Sequence, residues 1–217
     1  MVVVTRLPGR PLARRRVLVG ALLVGLLALP AWAAASRQAV EGAVVFIDGL
    51  GARAIQILRA TGGSLEQRES RFRGLLSNSF DMAFISRFVL GKHWRRATPQ
   101  QRADYQALFS EFVLKTYSRR LGGYAGERFK VNGARAAGKR DVMVRTLIVQ
   151  PGGGPPIKAD WRVRPRDGAY KIIDVMVEGV SMAVTQRSEF NAVIRKQGIP
   201  GLLHALRART EKFGVTS

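Results

Sequence analysis

The chain has 217 residues, enough for one well-buried domain together with an export segment. Hydrophobic residues make up 47% of it and charged residues 24%, which is ordinary for a globular protein and excludes a wholly disordered or collagen-like chain. Cysteine is absent, so disulfides, thiolate metal sites and a cysteine nucleophile are excluded, and the formal charge of +21 calls for an anionic partner or surface.

Residues 1–35 read as a cleavable secretory signal, with the domain expected over 36–217. Arg6, Arg10, Arg14, Arg15 and Arg16 precede an apolar run from Val17 to Leu29, followed by Pro30 and the small-residue stretch Ala31-Trp32-Ala33-Ala34-Ala35. The run is shorter than the roughly 20 residues a spanning helix needs, so cleavage after Ala33 or Ala35 is expected rather than a permanent anchor. Arg14-Arg15-Arg16-Val17-Leu18 resembles a twin-arginine signal, and both that route and the Sec route stay open. Export bears on the positive charge. Outside the cytoplasm the abundant polyanions are lipid head groups, and the basic residues are scattered, as in Arg68, Arg71 and Arg73, Arg95 and Arg96, or Arg162, Arg164 and Arg166. No nucleic-acid partner is expected, although a basic nucleic-acid-binding protein is a competing reading of composition alone.

Along the chain, Val40, Val44, Ile47, Ala54 and Leu58 recur at helical spacing, and Thr61-Gly62-Gly63 ends that helix. Ser64 with Gln67 three residues later forms a capping box for a second helix carrying Leu65, Phe72, Leu75 and Leu76. A short buried helix follows Phe80-Asp81, with Met82, Ile85, Phe88 and Val89 on its apolar face and Leu90-Gly91 at its end. Thr98-Pro99-Gln100-Gln101 is the best-marked helix start, opening a long amphipathic helix with Tyr105, Leu108, Phe109, Phe112 and Tyr117, stopped at Gly122-Gly123. The period then changes to alternation: Val142 to Val149, Ile157 to Arg164 and Tyr170 to Val177 read as strands joined by Pro151–Pro156 and Arg166-Asp167-Gly168, with a weaker strand at Phe129–Val131. Two helices close the chain, one from Thr185 to Lys196 stopped by Gly198 and one after Pro200. The fold class is α+β, with an antiparallel meander of about four strands.

Chemistry-bearing motifs are weak. Gly49-Leu50-Gly51 approximates a dinucleotide fingerprint, but no parallel strand with an acidic residue follows it; small residues for close helix packing explain it better. Gly179-Val180-Ser181-Met182-Ala183 resembles a nucleophile elbow, making a secreted serine hydrolase using Ser181 the alternative from another class. The final glycine is missing, and His204 with Glu189 would have to complete a triad, whereas a cap at a strand-to-helix turn accounts for the serine without catalysis. His93 and His204 are far apart, with no carboxylate at ligand spacing. Asp174 and Glu178, four apart in a strand, stand about 13 Å from each other, too far for an acid/base pair. No catalytic residue, metal site or cofactor is expected. What remains is a surplus of large apolar side chains, which composition leaves open between a close-packed core and a ligand cavity.

The order of several segments resembles a known family. Phe80-Asp81, Leu90-Gly91-Lys92-His93-Trp94, Ala97-Thr98-Pro99-Gln100-Gln101-Arg102, Phe109 to Tyr117, Asp174-Val175-Met176-Val177-Glu178-Gly179-Val180-Ser181, Gln186-Arg187-Ser188-Glu189-Phe190 and Gly198 together are similar to the MlaC, or toluene-tolerance, family of periplasmic phospholipid-binding proteins. Thr185-Gln186-Arg187 departs from it where the family carries an aromatic residue. The resemblance implies helices packed around a twisted antiparallel sheet that enclose an apolar lipid cavity. It also implies a phospholipid cargo, or a hopanoid as in one branch, exchanged between an inner-membrane ABC transporter complex and an outer-membrane lipoprotein complex to maintain outer-membrane lipid asymmetry. A lipid-free structural role in an envelope complex is a further alternative. Expected cavity residues are Phe80, Phe88, Phe109, Phe112, Tyr117, Val144, Ile148, Trp161, Val163, Val175 and Val177, with Lys92 and Arg187 near a head group or docking surface.

Overall fold

The computed structural model describes residues 31–60, 62, 64–119, 126–166 and 168–212. Most of the expected signal, the Gly122-Gly123 helix stop and Asp167 of the hairpin turn lie outside the described residues. The first helix, α1 (Ala31–Arg59), starts well before the expected Val40. Both expected cleavage positions therefore fall within its opening turns.

Local capping chemistry sets the helix starts that follow. Ser64 accepts the Gln67 backbone N–H while the Gln67 side chain takes that of Ser64, opening α2 (Leu65–Ser79). Asp81 caps α3 (Met82–Leu90) by accepting the Phe84 N–H at 2.9 Å. A 3-10 turn over Gly91–Arg95 leads to α4 (Pro99–Arg119), where Thr98 and Gln101 form a second reciprocal box. Strands β1 (Arg128–Ala137), β2 (Asp141–Val149), β3 (Ile157–Arg166), β4 (Ala169–Val177) and the two-residue β5 (Val180–Ser181) pair in chain order as an open antiparallel sheet. The weak strand signal at Phe129 belongs to a full ten-residue strand, whose alternation is blurred by a bulge between Val131 and Ala134. The last helix, α5 (Met182–Lys212), breaks where expected: Gly198 has φ 68°, a left-handed conformation that favours glycine, and Pro200 opens its second half.

Two cores result. Ala43, Ile47 and Leu50 of α1 pack on Val142, Val144, Val163 and Ile172 of the sheet. A separate helical core joins α3, α4 and α5 through Leu90, Tyr105, Phe109, Phe112, Phe190 and Leu206. Tyr105 is fully buried and its hydroxyl donates to the Ser86 carbonyl at 3.1 Å, which satisfies the polar end of a ring otherwise surrounded by apolar atoms. Phe80 packs against both cores and joins them. The α+β class holds, with five strands instead of about four.

Candidate functional site

Alternation along β2 and β3 places Val144, Thr146 and Ile148 on the same side as Trp161, Ala159 and Ile157, because these residues are direct cross-strand partners. Phe129 of β1 pairs with Ile148 and extends that face. Over it lie α1 and α2, which pack together after a short connection and so run antiparallel. Between the helical hairpin and the sheet is an apolar pocket of about 300 Å³. Leu50, Ile55 and Leu58 wall it from α1, and Phe72, Leu75 and Leu76 from α2. Phe129, Ile148, Ile157 and Trp161 form its sheet side.

The approach of α1 to the sheet depends on glycine. A Cβ on Gly51 would overlap the Phe129 ring, and one on Gly42 would overlap the Tyr170 hydroxyl. These contacts also orient α1: Gly42 lies over the end of the sheet where Tyr170 pairs with Pro165, and Gly51 nears the end where β1 begins. Of the two glycines that mimic a dinucleotide fingerprint, Gly51 is thus a packing residue, whereas a Cβ on Gly49 would meet only the end of the Arg53 side chain.

The pocket floor is rigid. Trp161 Nε1 donates to Thr146 Oγ1 at 2.9 Å, and that hydroxyl donates to the Ala159 carbonyl at 2.7 Å. The indole meets Phe80 and Phe129 edge-on, at centroid separations of 6.5 and 6.2 Å. Among the described residues, Glu127 and Gln150 are the only polar ones lining the pocket. Arg128 pairs with Val149 and Ile148 with Ile157, so both polar residues stand at one end of the sheet.

Ile148 and Trp161 line this pocket as expected residues, and Phe80 meets Trp161 at its inner end. Val144 and Val163 are fully buried in the adjoining α1–sheet core, with Val175 packed against them and Val177 half-buried on β4. Phe109 is buried in the helical core. Phe112 and Tyr117 border another cleft, between α4 and α5, in the company of the polar residues Gln186, Glu189 and Arg209. Phe88 is about one-third exposed, at 36%, and lies under the Arg187 guanidinium at 5.3 Å, while Lys92 is exposed on the 3-10 turn. Leu50, Ile55, Leu58, Phe129 and Ile157 are pocket residues that sequence reasoning missed. Cross-strand register would have flagged Phe129 and Ile157, both partners of Ile148.

The competing chemistry finds no geometry. Ser181 Oγ donates to Asp174 Oδ2 at 2.6 Å and accepts the Val184 N–H at 3.1 Å, so it is a helix cap. Asp174 also takes the N–H groups of Val175 and Ala183, and Glu178 takes that of Lys158. His93 is buried and His204 is exposed, and among the described residues no group of His, Cys, Asp and Glu could hold a metal ion. The buried carboxylate of Asp141 is structural. Its burial alone would raise its pKa, but hydrogen bonds from Arg164 and Arg162 outweigh that and hold it below the usual carboxylate range.

A helical hairpin thus packs over an open antiparallel meander with an apolar pocket between them, Glu127 and Gln150 being the polar members of its lining among the described residues. The sequence model of the MlaC protein family matches residues 50–208, and the chain belongs to that family. It is 23% identical over 153 residues to the intermembrane phospholipid transport system binding protein MlaC of Haemophilus influenzae, an alignment covering 67% of this chain and 72% of the relative. Its fold is similar to that of a phospholipid-binding protein from Ralstonia solanacearum solved in complex with a phospholipid. That likeness has a TM-score of 0.66 at 24% identity and covers 81% of this chain and 98% of the other. Among the described residues no helix is long and apolar enough to cross a membrane.

Proposed function

We propose that this chain is a periplasmic phospholipid carrier, exported by its first 35 residues, that seats acyl chain in the pocket between α1, α2 and the sheet. It exchanges this cargo with an inner-membrane ABC transporter complex and an outer-membrane lipoprotein complex, and so helps keep the outer membrane asymmetric. The observation that carries the reading is the pocket, apolar throughout except at Glu127 and Gln150. Each methylene moved from bilayer to water costs about 0.8 kcal/mol, so a lipid crosses the aqueous gap at a useful rate only inside such a wall. The cargo is moved and not transformed, consistent with the capping role of Ser181.

At about 300 Å³ the pocket is at the low end of ligand sites, which commonly run from roughly 300 to 1,000 Å³. Loading a lipid therefore requires a wall to yield. Helix α2 is that wall, since Phe72 and Ser79 are its only buried residues. The exposed basic run of Lys92, Arg95 and Arg96, with Arg187 nearby, serves as a docking surface in this reading. Transfer of fluorescent phospholipid from vesicles tests it. The wild type acquires lipid, and Ile148→Glu, which places a charge in the half-buried pocket wall, abolishes acquisition while helical circular dichroism is retained. Undiminished acquisition by a folded Ile148→Glu protein rejects the pocket as the cargo site.

A further inference from the structure

The Arg68 side chain makes no hydrogen bond or ion pair with any described residue, yet its Nε is shielded from solvent. A guanidinium N–H removed from water without a partner is unfavourable, and the unmet donor calls for an acceptor that the described residues do not supply. Its helix offers none. The positions three and four residues away on either side are Ser64, Leu65, Arg71 and Phe72, none of them a carboxylate, and the Ser64 hydroxyl is taken by Gln67.

Helical spacing places Arg68 one turn before Phe72, a residue of the pocket lining, along the same side of α2. That turn lies toward the closed end of the α1–α2 hairpin, where α1 contributes Leu58. The same end of the sheet carries Glu127 and Gln150. Arg68 therefore stands toward the polar end of the pocket, the end from which the head group of a lipid would emerge if its chains lie against Trp161.

Resting on the carrier reading, we propose that Arg68 is the anchor for the cargo's phosphodiester, its guanidinium donating to a phosphate oxygen at the polar end of the pocket. Planar guanidinium groups suit phosphate because two N–H donors can meet two oxygens together. The recognised feature is then the phosphodiester shared by phospholipids. Diacylglycerol, with the same chains and no phosphate, lacks the partner.

The test compares wild type, Arg68→Gln and Arg68→Lys for uptake of phosphatidylglycerol and of diacylglycerol from otherwise neutral vesicles, with thermal unfolding of each protein as a control. Expected is a loss of phosphatidylglycerol affinity of roughly ten- to a hundredfold in Arg68→Gln. Arg68→Lys recovers part of that loss, and diacylglycerol uptake is the same in all three proteins. Equal phosphatidylglycerol affinity in wild type and Arg68→Gln overturns the anchor while leaving the carrier intact. A parallel loss for both lipids in a folded Arg68→Gln protein also overturns it, since the residue would then act on the pocket and not on phosphate. Failure of wild type to take up either lipid overturns the carrier reading itself.

Discussion

Trp161 and Thr146, neighbours on adjacent strands, are locked by an indole-to-hydroxyl hydrogen bond of 2.9 Å that fixes the floor of the apolar pocket. Thr146 is itself fully buried and passes its own proton to the Ala159 carbonyl, so one small polar residue satisfies two groups away from water. Replacing it with valine keeps the shape and leaves the indole N–H without a partner. Thr146→Val is expected to lose about 1–3 kcal/mol of stability by urea unfolding. It also frees the indole to turn into the pocket, so less lipid co-purifies.

Glycines on the same helix have opposite expected effects. At Gly51 a Cβ overlaps the body of the Phe129 ring, so Gly51→Ala forces α1 off the sheet or the ring into the pocket. A loss of about 1–3 kcal/mol and weaker lipid uptake are expected. At Gly49 a Cβ meets only the flexible end of Arg53, 3.5 Å away, and Gly49→Ala should stabilise by about 0.5–1 kcal/mol through helix propensity. Thermal unfolding of the two variants side by side checks the pair.

Asp141 gives stability a defined acid limit. Arg164 and Arg162 hold its folded-state pKa below that of the unfolded chain, near 3.9 for an aspartate. Its contribution is therefore complete above that value and is lost as pH falls through the lower folded-state value. Asp141→Asn should cost about 2–3 kcal/mol at pH 7, less than a wholly buried pair because Arg162 is half exposed. The difference from wild type should shrink in unfolding measurements taken near pH 3.

Ser181→Ala separates capping from catalysis. Loss of the bonds to Val184 N–H and Asp174 is expected to reduce stability by about 1–2 kcal/mol, and lipid uptake at low temperature should be unchanged. Ester turnover that appears in wild type and vanishes in this variant would point to a hydrolase.

Much of the fold was legible because its signals are local. Ser64 with Gln67 and Thr98 with Gln101 specify helix starts within four residues, and Gly198 marks a break that only a left-handed backbone explains. The start of α1 was not legible, since Ala31–Ala35 has the small-residue composition of a cleavage site as well as that of a helix. The pocket was legible only in part. Alternation identifies Ile148 and Trp161 as inward-facing, but not that α1 and α2 leave a gap above them. Periodicity likewise marks Phe109 and Phe112 as apolar without revealing that α4 and α5 enclose them in a core of their own. Which apolar face meets which depends on long-range packing, where Gly51 and Phe129 bring together residues far apart in the chain.

Bound cargo is read by mass spectrometry of an organic extract from the protein purified out of the periplasm. Phospholipid is expected in a near-stoichiometric amount, depleted when Ile148 is replaced by glutamate. An extract from folded wild-type protein that contains no lipid, or lipid that persists unchanged in the folded Ile148→Glu variant, would contradict the carrier reading.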